Sequence, residues 1–254
     1  MSDARLTPMR GLPGEKQRIL QAIADQTATA NGARENQLLW GEAFTPFDHD
    51  GGFTYGQAAC GYMGWVAADA LGPWLAPGHR VCVQGSFLYE RADLKSPTRA
   101  RLPFGARLAV TGTEGEFSET ADGFVFSRHL ASGPAKDHVA VAVKFIGAPY
   151  LWGGRSDSGL DCSGLVQLAL QAAGHSAPRD SDMQQALGAP VTGPLKRGDL
   201  VFWRGHVGIM IDGESLLHAN AYSMQVAVEP LEEAATRIAH KGGGPITHRR
   251  RLVI

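Results

Sequence analysis

Only three cysteines stand in the 254 residues, at positions 60, 82 and 162. So few, odd in number and without regular spacing, they argue against a disulfide framework and suit a reducing compartment. Charge of one sign is equally scarce. Lys and Arg number 24 and Asp and Glu 25, for a net charge of -1, so the chain lacks the basic footprint of a nucleic-acid or anionic-membrane binder. Residues 1–30 are mixed and polar and hold no apolar run of the signal-peptide kind. No stretch elsewhere reaches the length of a membrane span. These absences give the expectation of a cytoplasmic protein with no nucleic-acid and no membrane partner. The one basic run, Arg249-Arg250-Arg251, reads as a solvated tail.

What is present is an ordinary globular composition, 44% apolar and 19% charged, at a length that suggests two or three domains. Residues 1–30 read as a loosely structured arm with a short helix at Glu15 to Ala24. From Asn36 to Phe126, short β-prone runs are punctuated by Gly and Asp turns, the pattern of small barrels or sandwiches. Gly64 to Leu71 and Gly123 to Leu130 share one outline: aromatic, valine, short spacer, leucine. They read as the ends of two related β modules. Ser132-Gly133-Pro134 is a linker, and Asp137 to Phe145 is an apolar helix candidate.

The chemistry begins after Pro149. Tyr150-Leu151-Trp152-Gly153-Gly154 leads through a Ser/Gly-rich loop to Asp161-Cys162-Ser163-Gly164, and then Leu165, Leu168, Ala169 and Ala172 recur at helical spacing. Asp161 suits an N-cap and Gly174 a C-cap, which makes Cys162 the first residue of the helix. Unpaired N–H groups and partial positive charge there favour a thiolate, and Gly164 is expected to leave room for a substrate. Cys60 and Cys82 lie in β-prone stretches and read as small buried hydrophobes.

A thiol nucleophile needs a base and a group to orient it. Of nine histidines, His206 and His218 are singled out because both fall on one hairpin, His206 to Ile211 and Ser215 to Ala221. Its register decides whether they meet. A two-residue turn at Asp212-Gly213 pairs 211 with 214 and sends the two rings to opposite faces. A three-residue loop pairs 211 with 215 and makes them diagonal neighbours, within reach of two imidazoles. Asn220 shares that face as an alternative orienting group.

Five motifs occur in order: Tyr-x-Trp-Gly-Gly, Asp-Cys-Ser-Gly-Leu-Val, Arg-Gly-Asp-Leu-Val-Phe, His-Val-Gly-Ile and Leu-Leu-His-Ala. Together, over residues 137–231, they resemble the NlpC-type, papain-like family of cell-wall peptidases. The resemblance implies an α+β fold, with a papain-like catalytic domain whose Cys helix packs on an antiparallel sheet. It implies a catalytic triad of Cys162, His206 and His218. Tyr150 matches a tyrosine near the oxyanion region, and Asp161, Ser163 and Ser181 match substrate-contacting positions. The reaction implied is hydrolysis of the γ-D-glutamyl bond to a diamino acid in murein peptides, with no cofactor and no metal. The N-terminal half is similar to paired bacterial SH3-type barrels found in one branch of the family. There the first module helps close the active site and recognises the free amine of an N-terminal L-alanine; Glu42 and Tyr62 match the residues concerned. The expected division is an arm at 1–30, SH3-like modules at 31–76 and 77–133, and the peptidase domain at 134–254. A non-catalytic module binding wall fragments, or an acyl or amide transferase on the same scaffold, are the rival readings.

Overall fold

The computed structural model describes residues 3–252 and is of the α+β class, with many short antiparallel strands and few helices. The chain divides into two compact units between Pro134 and Ala135.

The first unit is all-β apart from two 3-10 turns. Its first sheet has seven strands, in the order Arg34–Leu39, Ile23–Thr27, Met63–Ala67, Phe53–Ala58, Ala43–Asp50, Gln17–Ile19, Leu71–Pro73. The expected arm and helix before residue 31 are therefore corrected: Gln17–Ile19 and Ile23–Thr27 are strands inside this sheet. Neighbouring strands claim the backbone groups that a helix would have paired internally. Ile19 N–H donates to Glu42 O, and Leu20 N–H donates to Ala70 O. Burial of Ile19 and Ala24 favours the extended form, so tertiary pairing overrides local propensity. The boundary drawn at residue 30 cuts the hairpin that joins Ile23–Thr27 to Arg34–Leu39.

Five further strands form a second sheet, in the order Thr98–Pro103, Gly85–Tyr89, Gly123–Phe126, Phe117–Thr120, Val110–Glu114, beside a three-stranded one of Arg107–Leu108, His79–Val81 and Leu130–Ala131. The repeat outlined in the sequence has a physical counterpart. Met63–Ala67 and Gly123–Phe126 each run into a 3-10 turn, Ala68–Ala70 and Ser127–His129, and then into a short strand. The residue ahead of each turn has nearly the same backbone angles, φ -60 and ψ 133 at Ala67, φ -58 and ψ 119 at Phe126.

The two halves of this unit share material. Trp40 is buried in a core with Val81, Leu88, Leu102, Ala106, Leu108 and Val125, and Leu20 packs against it. The Arg18 guanidinium, nearly buried, forms a two-pronged pair with the Asp122 carboxylate at 2.6 and 2.9 Å. Gly41 sits at φ +74 in the turn after Trp40, where an added Cβ would lie 1.9 Å from the Arg107 carbonyl oxygen.

The second unit carries a six-stranded sheet, in the order Ala189–Pro190, His248–Arg251, Leu200–Trp203, His206–Met210, Ser215–Asn220, Gln225–Pro230. The helix Cys162–Ala172 packs on its His206–Met210 and Ser215–Asn220 strands and is buried almost all round. Its end is explicit. Gly174 takes φ +85, Gly174 N–H donates to Gln171 O, and His175 N–H donates to Leu170 O, the paired bonds of a Schellman stop. The apolar segment after Asp137 is helical only over His138–Val143, opened by Val139 N–H donating to the Asp137 side chain at 2.8 Å. The arginine run is not a solvated tail. His248–Arg251 is a strand, and Arg251 grips the buried Asp199 carboxylate at 2.7 and 2.6 Å. Among the described residues, no helix is long and apolar enough to cross a membrane.

Gly41→Ala is expected to destabilise the chain by roughly 3 kcal/mol or more, because a left-handed conformation and a backbone clash coincide there. Gly51→Ala, at φ +53 with nothing near its Cβ, should cost only about 1–2 kcal/mol for the backbone angle. Urea denaturation of the full-length variants measures both. Equal losses would show that the approach to Arg107 is not what requires glycine at 41.

Candidate active site

The loop before the Cys162 helix is built on one carboxylate. Asp161 is the N-cap, with Gly164 N–H donating to its Oδ1 at 2.6 Å and Gly153 N–H donating to its Oδ2 at 2.9 Å. Arg179, 1% exposed, donates to both oxygens at 3.1 and 2.5 Å and to Ser163 Oγ at 2.9 Å. Asp161 and Ser163 thus hold the loop, the helix and Arg179 together, each being nearly buried. Gly164 does not make room for a substrate. A Cβ there would lie 2.2 Å from the Gly154 carbonyl oxygen, so the glycine lets the preceding loop cross the helix.

Cys162 opens the helix as expected, but its surroundings work against a thiolate there. Burial, and after it the charge on Asp161, push the thiol up to about 12. The backbone N–H groups of Val207 and Ser163 and the charge of Arg179 pull the other way and do not prevail. Desolvation of a thiolate with only 8% exposure outweighs the helix N-terminus. The sulfur lies 4.0 Å from the carbonyl oxygen of Gly205, the residue before His206.

The hairpin adopts the three-residue register. Ile209 pairs with Leu217 and Met210 with Leu216, and Ile211 N–H donates to Ser215 O, leaving Asp212-Gly213-Glu214 as the loop. Asp212 stabilises that loop by accepting from the N–H groups of Glu214 and Ser215. His206 and His218 consequently share a face, and His206 Nε2 meets His218 Nδ1 at 2.8 Å. His218 is fully buried and its Nε2 meets Glu229 Oε1 at 2.6 Å. Arg237 donates to both Glu229 oxygens, and its guanidinium lies 4.3 Å from the centre of the Tyr222 ring. Asn220 takes no part in this line: its Oδ1 accepts from Tyr222 N–H, Ser223 N–H and Ser223 Oγ in the following turn.

Electrostatically the line is neutral at its front and charged at its back. Burial pushes His206 down to about 3, with His218 and Arg237 adding to the shift against Glu229. Burial also lowers His218, against its bond to Glu229. For Glu229 burial works upward, but the bonds from Arg237 and His218 prevail and hold the carboxyl below its usual range.

Tyr150 is half-buried, its N–H donates to Met224 O, and burial followed by the charges of Cys162 and Asp161 raises its hydroxyl to about 12. Ser181 is buried as the first residue of the helix Ser181–Gln184. Glu42 and Tyr62 belong to the first unit. Leu39 N–H donates to Glu42 Oε2 at 2.9 Å, and Tyr62 is buried, its carbonyl accepting from Ala58 N–H and from Gln26 Nε2. Among the described residues, no group of three His, Cys, Asp or Glu could hold a metal ion.

Glu229 and Arg237 were not found from the sequence. The signal was a charged residue in the strand Gln225–Pro230. Ala227 pairs with His218, so Glu229 lies two places along on the same face, with Arg237 following in the helix Leu231–Ile238.

The buried, neutral pair has a kinetic consequence. Alkylation of Cys162, followed on its own peptide, should speed up about tenfold per pH unit from about pH 7 to pH 10. A flat plateau across neutral pH would instead indicate a standing thiolate–imidazolium pair.

Residues 147–240 match the NlpC/P60 family, and residues 26–71 match the bacterial dipeptidyl-peptidase SH3 domain. Dipeptidyl-peptidase 6 of Lysinibacillus sphaericus is 31% identical over 208 residues, 79% of this chain and 72% of that protein. The gamma-D-glutamyl-L-lysine dipeptidyl-peptidase of Bacillus subtilis is 36% identical over 110 residues, 40% of this chain. The chain spans 37% of the length of that relative and 30% of three others. The crystal structure of an NlpC/P60 family protein from Bacillus cereus shares the fold, with a TM-score of 0.77 at 20% identity over 94% of this chain and all of that one. Cys162, His206, His218, Glu229 and Arg237 all fall inside the span matched at the C-terminal side, and Glu42 and Tyr62 inside the other. The chain belongs to the NlpC/P60 family of peptidases, with a bacterial dipeptidyl-peptidase SH3 domain on its N-terminal side.

Proposed function

We propose that this chain is a cysteine peptidase that hydrolyses the bond from γ-D-glutamate to a diamino acid in murein peptides with a free N-terminal L-alanine. The carrying observation is the helix-head thiol beside the strand whose His206 is backed by a buried imidazole and a carboxylate. The names of relatives from Bacillus and Lysinibacillus support the choice of substrate. A cytoplasmic site of action, in recycling of released wall peptides, suits three free cysteines.

In this reading the resting pair is thiol and neutral imidazole. His206 takes the Sγ proton as the sulfur attacks the γ-amide carbonyl, so charge separates only as the new bond forms. The Cys162 backbone N–H and the Tyr150 hydroxyl, which stays protonated because its pKa is raised, donate to the developing oxyanion. The imidazolium of His206 then gives its proton to the departing amine, and water, deprotonated by His206, releases the acyl group from sulfur. Asp161, Ser163 and Ser181 shape the pocket for the D-glutamyl portion. To the first unit we assign recognition of the substrate's ammonium, with Glu42 as counter-charge and Tyr62 beside it.

Mass spectrometry of a defined L-Ala-γ-D-Glu-diaminopimelate peptide tests this. Cys162→Ala should release no L-Ala-D-Glu, and His206→Ala should lower kcat by roughly 10²–10⁴-fold; retained turnover in Cys162→Ala would remove the proposal. Glu42→Ala should raise KM for the free-amine peptide about ten- to a hundredfold and leave an N-acetylated peptide unaffected. Equal effects on both peptides would take Glu42 out of the recognition step.

A further inference from the structure

The line behind His206 has a direction, and the direction can be read from which groups are able to donate. A carboxylate has acceptors only. Arg237 donates to both Glu229 oxygens, which keeps that group in its acceptor state. The 2.6 Å contact between Glu229 Oε1 and His218 Nε2 is therefore a bond donated by His218. A neutral imidazole carries one proton, so His218 Nδ1 is bare and must accept. The 2.8 Å contact to His206 Nε2 is then donated by His206, which leaves the proton off His206 Nδ1.

We propose that Glu229, locked by Arg237, is a positioning residue that sets the tautomer of His206 at second hand, holding both rings as Nε2–H so that His206 Nδ1 is the free base. The step rests on the peptidase reading only in calling that nitrogen a catalytic base; the proton arrangement itself follows from the contacts.

Three features support it. His218 is fully buried and both its ring nitrogens are engaged within this line, so no water competes for either. Both imidazoles are kept neutral by burial. Burial thus works against the alternative in which a doubly protonated His218 donates at both ends and reverses His206, and the ring-nitrogen measurement below tells the two apart. The charged groups acting on the pair are Glu229 and Arg237, whose two-pronged contact is buttressed by the Tyr222 ring. The tautomer is thus set by a residue on the Gln225–Pro230 strand that reaches His206 only through His218.

Removing the acceptor separates this from a merely structural role. In Glu229→Leu, His218 Nε2 loses the carboxylate that holds its proton, and the Arg237 guanidinium left beside it can only donate. That nitrogen must then accept, His218 Nδ1 becomes the donor, and His206 is left protonated at Nδ1, where it cannot take the thiol proton.

The experiment is ¹⁵N NMR of the ring nitrogens of His206 and His218 at neutral pH, in the full chain carrying Cys162→Ala. The result expected is a protonated Nε2 and a bare Nδ1 in both rings. A protonated Nδ1 in either ring overturns the proposal, whatever the variants do. Adding Glu229→Leu should reverse both tautomers. With Cys162 intact, Glu229→Leu should lower kcat by roughly 10²–10⁴-fold with KM within about twofold. Unchanged tautomers or unchanged kcat in a folded Glu229→Leu chain would also overturn it. If that variant does not fold, the tautomers of the Cys162→Ala parent decide alone. Because those are read without substrate, failure to cleave a murein peptide and failure of the relay are separate results.

Discussion

The chemistry proposed for the second unit depends on one hydrogen bond between two imidazoles, and that bond depends on strand register. His206 and His218 lie on neighbouring strands with a three-residue loop between them. A connection one residue shorter would turn every side chain of the return strand to the other face. His218 would then leave His206 and take Glu229, its neighbour on the next strand, with it. Asp212, by capping the loop through the N–H groups of Glu214 and Ser215, acts on the site from its far end. Leu216 and Leu217, both fully buried on opposite faces of the strand, make a slip costly.

Burial then sets the chemical character of the site. A helix N-terminus alone would favour a thiolate, yet Cys162 lies under cover with the Asp161 carboxylate beside it, and both effects disfavour charge on sulfur. Asp161 stays because the loop needs it: it caps the helix, holds Gly153 and pairs with the buried Arg179. The same cover keeps His206 neutral and able to accept a proton. The resting site is thus an uncharged donor and acceptor in front of a charged pair, Glu229 and Arg237, whose field is available when an imidazolium forms.

Much of this was legible in the sequence, and the failures have physical causes. The Asp161 cap, Cys162 at the helix head and Gly174 at its end rest on local rules, and local rules suffice there. The His206–His218 meeting could be posed but not decided, because Asp212-Gly213 also suits a two-residue turn; Glu214 in the loop settles it. Residues 17–27 misled because their apolar content does not distinguish a short helix from strands whose partners lie as far along the chain as Pro73 is from Gln17. Trp40 in a core with Val81, Leu88 and Val125, and Arg251 on Asp199, are likewise long-range facts. Glu229 escaped because a lone acid in a strand is ordinarily a solvated residue, and its meaning appears only once His218 is known to lie beside it.

The most direct measurement is the scalar coupling across the imidazole–imidazole hydrogen bond in uniformly ¹⁵N-labelled, unmodified chain. The structure requires a resolvable coupling between His206 Nε2 and His218 Nδ1, with the shared proton on His206. Two rings that show no coupling while the chain cleaves its peptide at full rate would contradict the register, and with it the catalytic role assigned to His218.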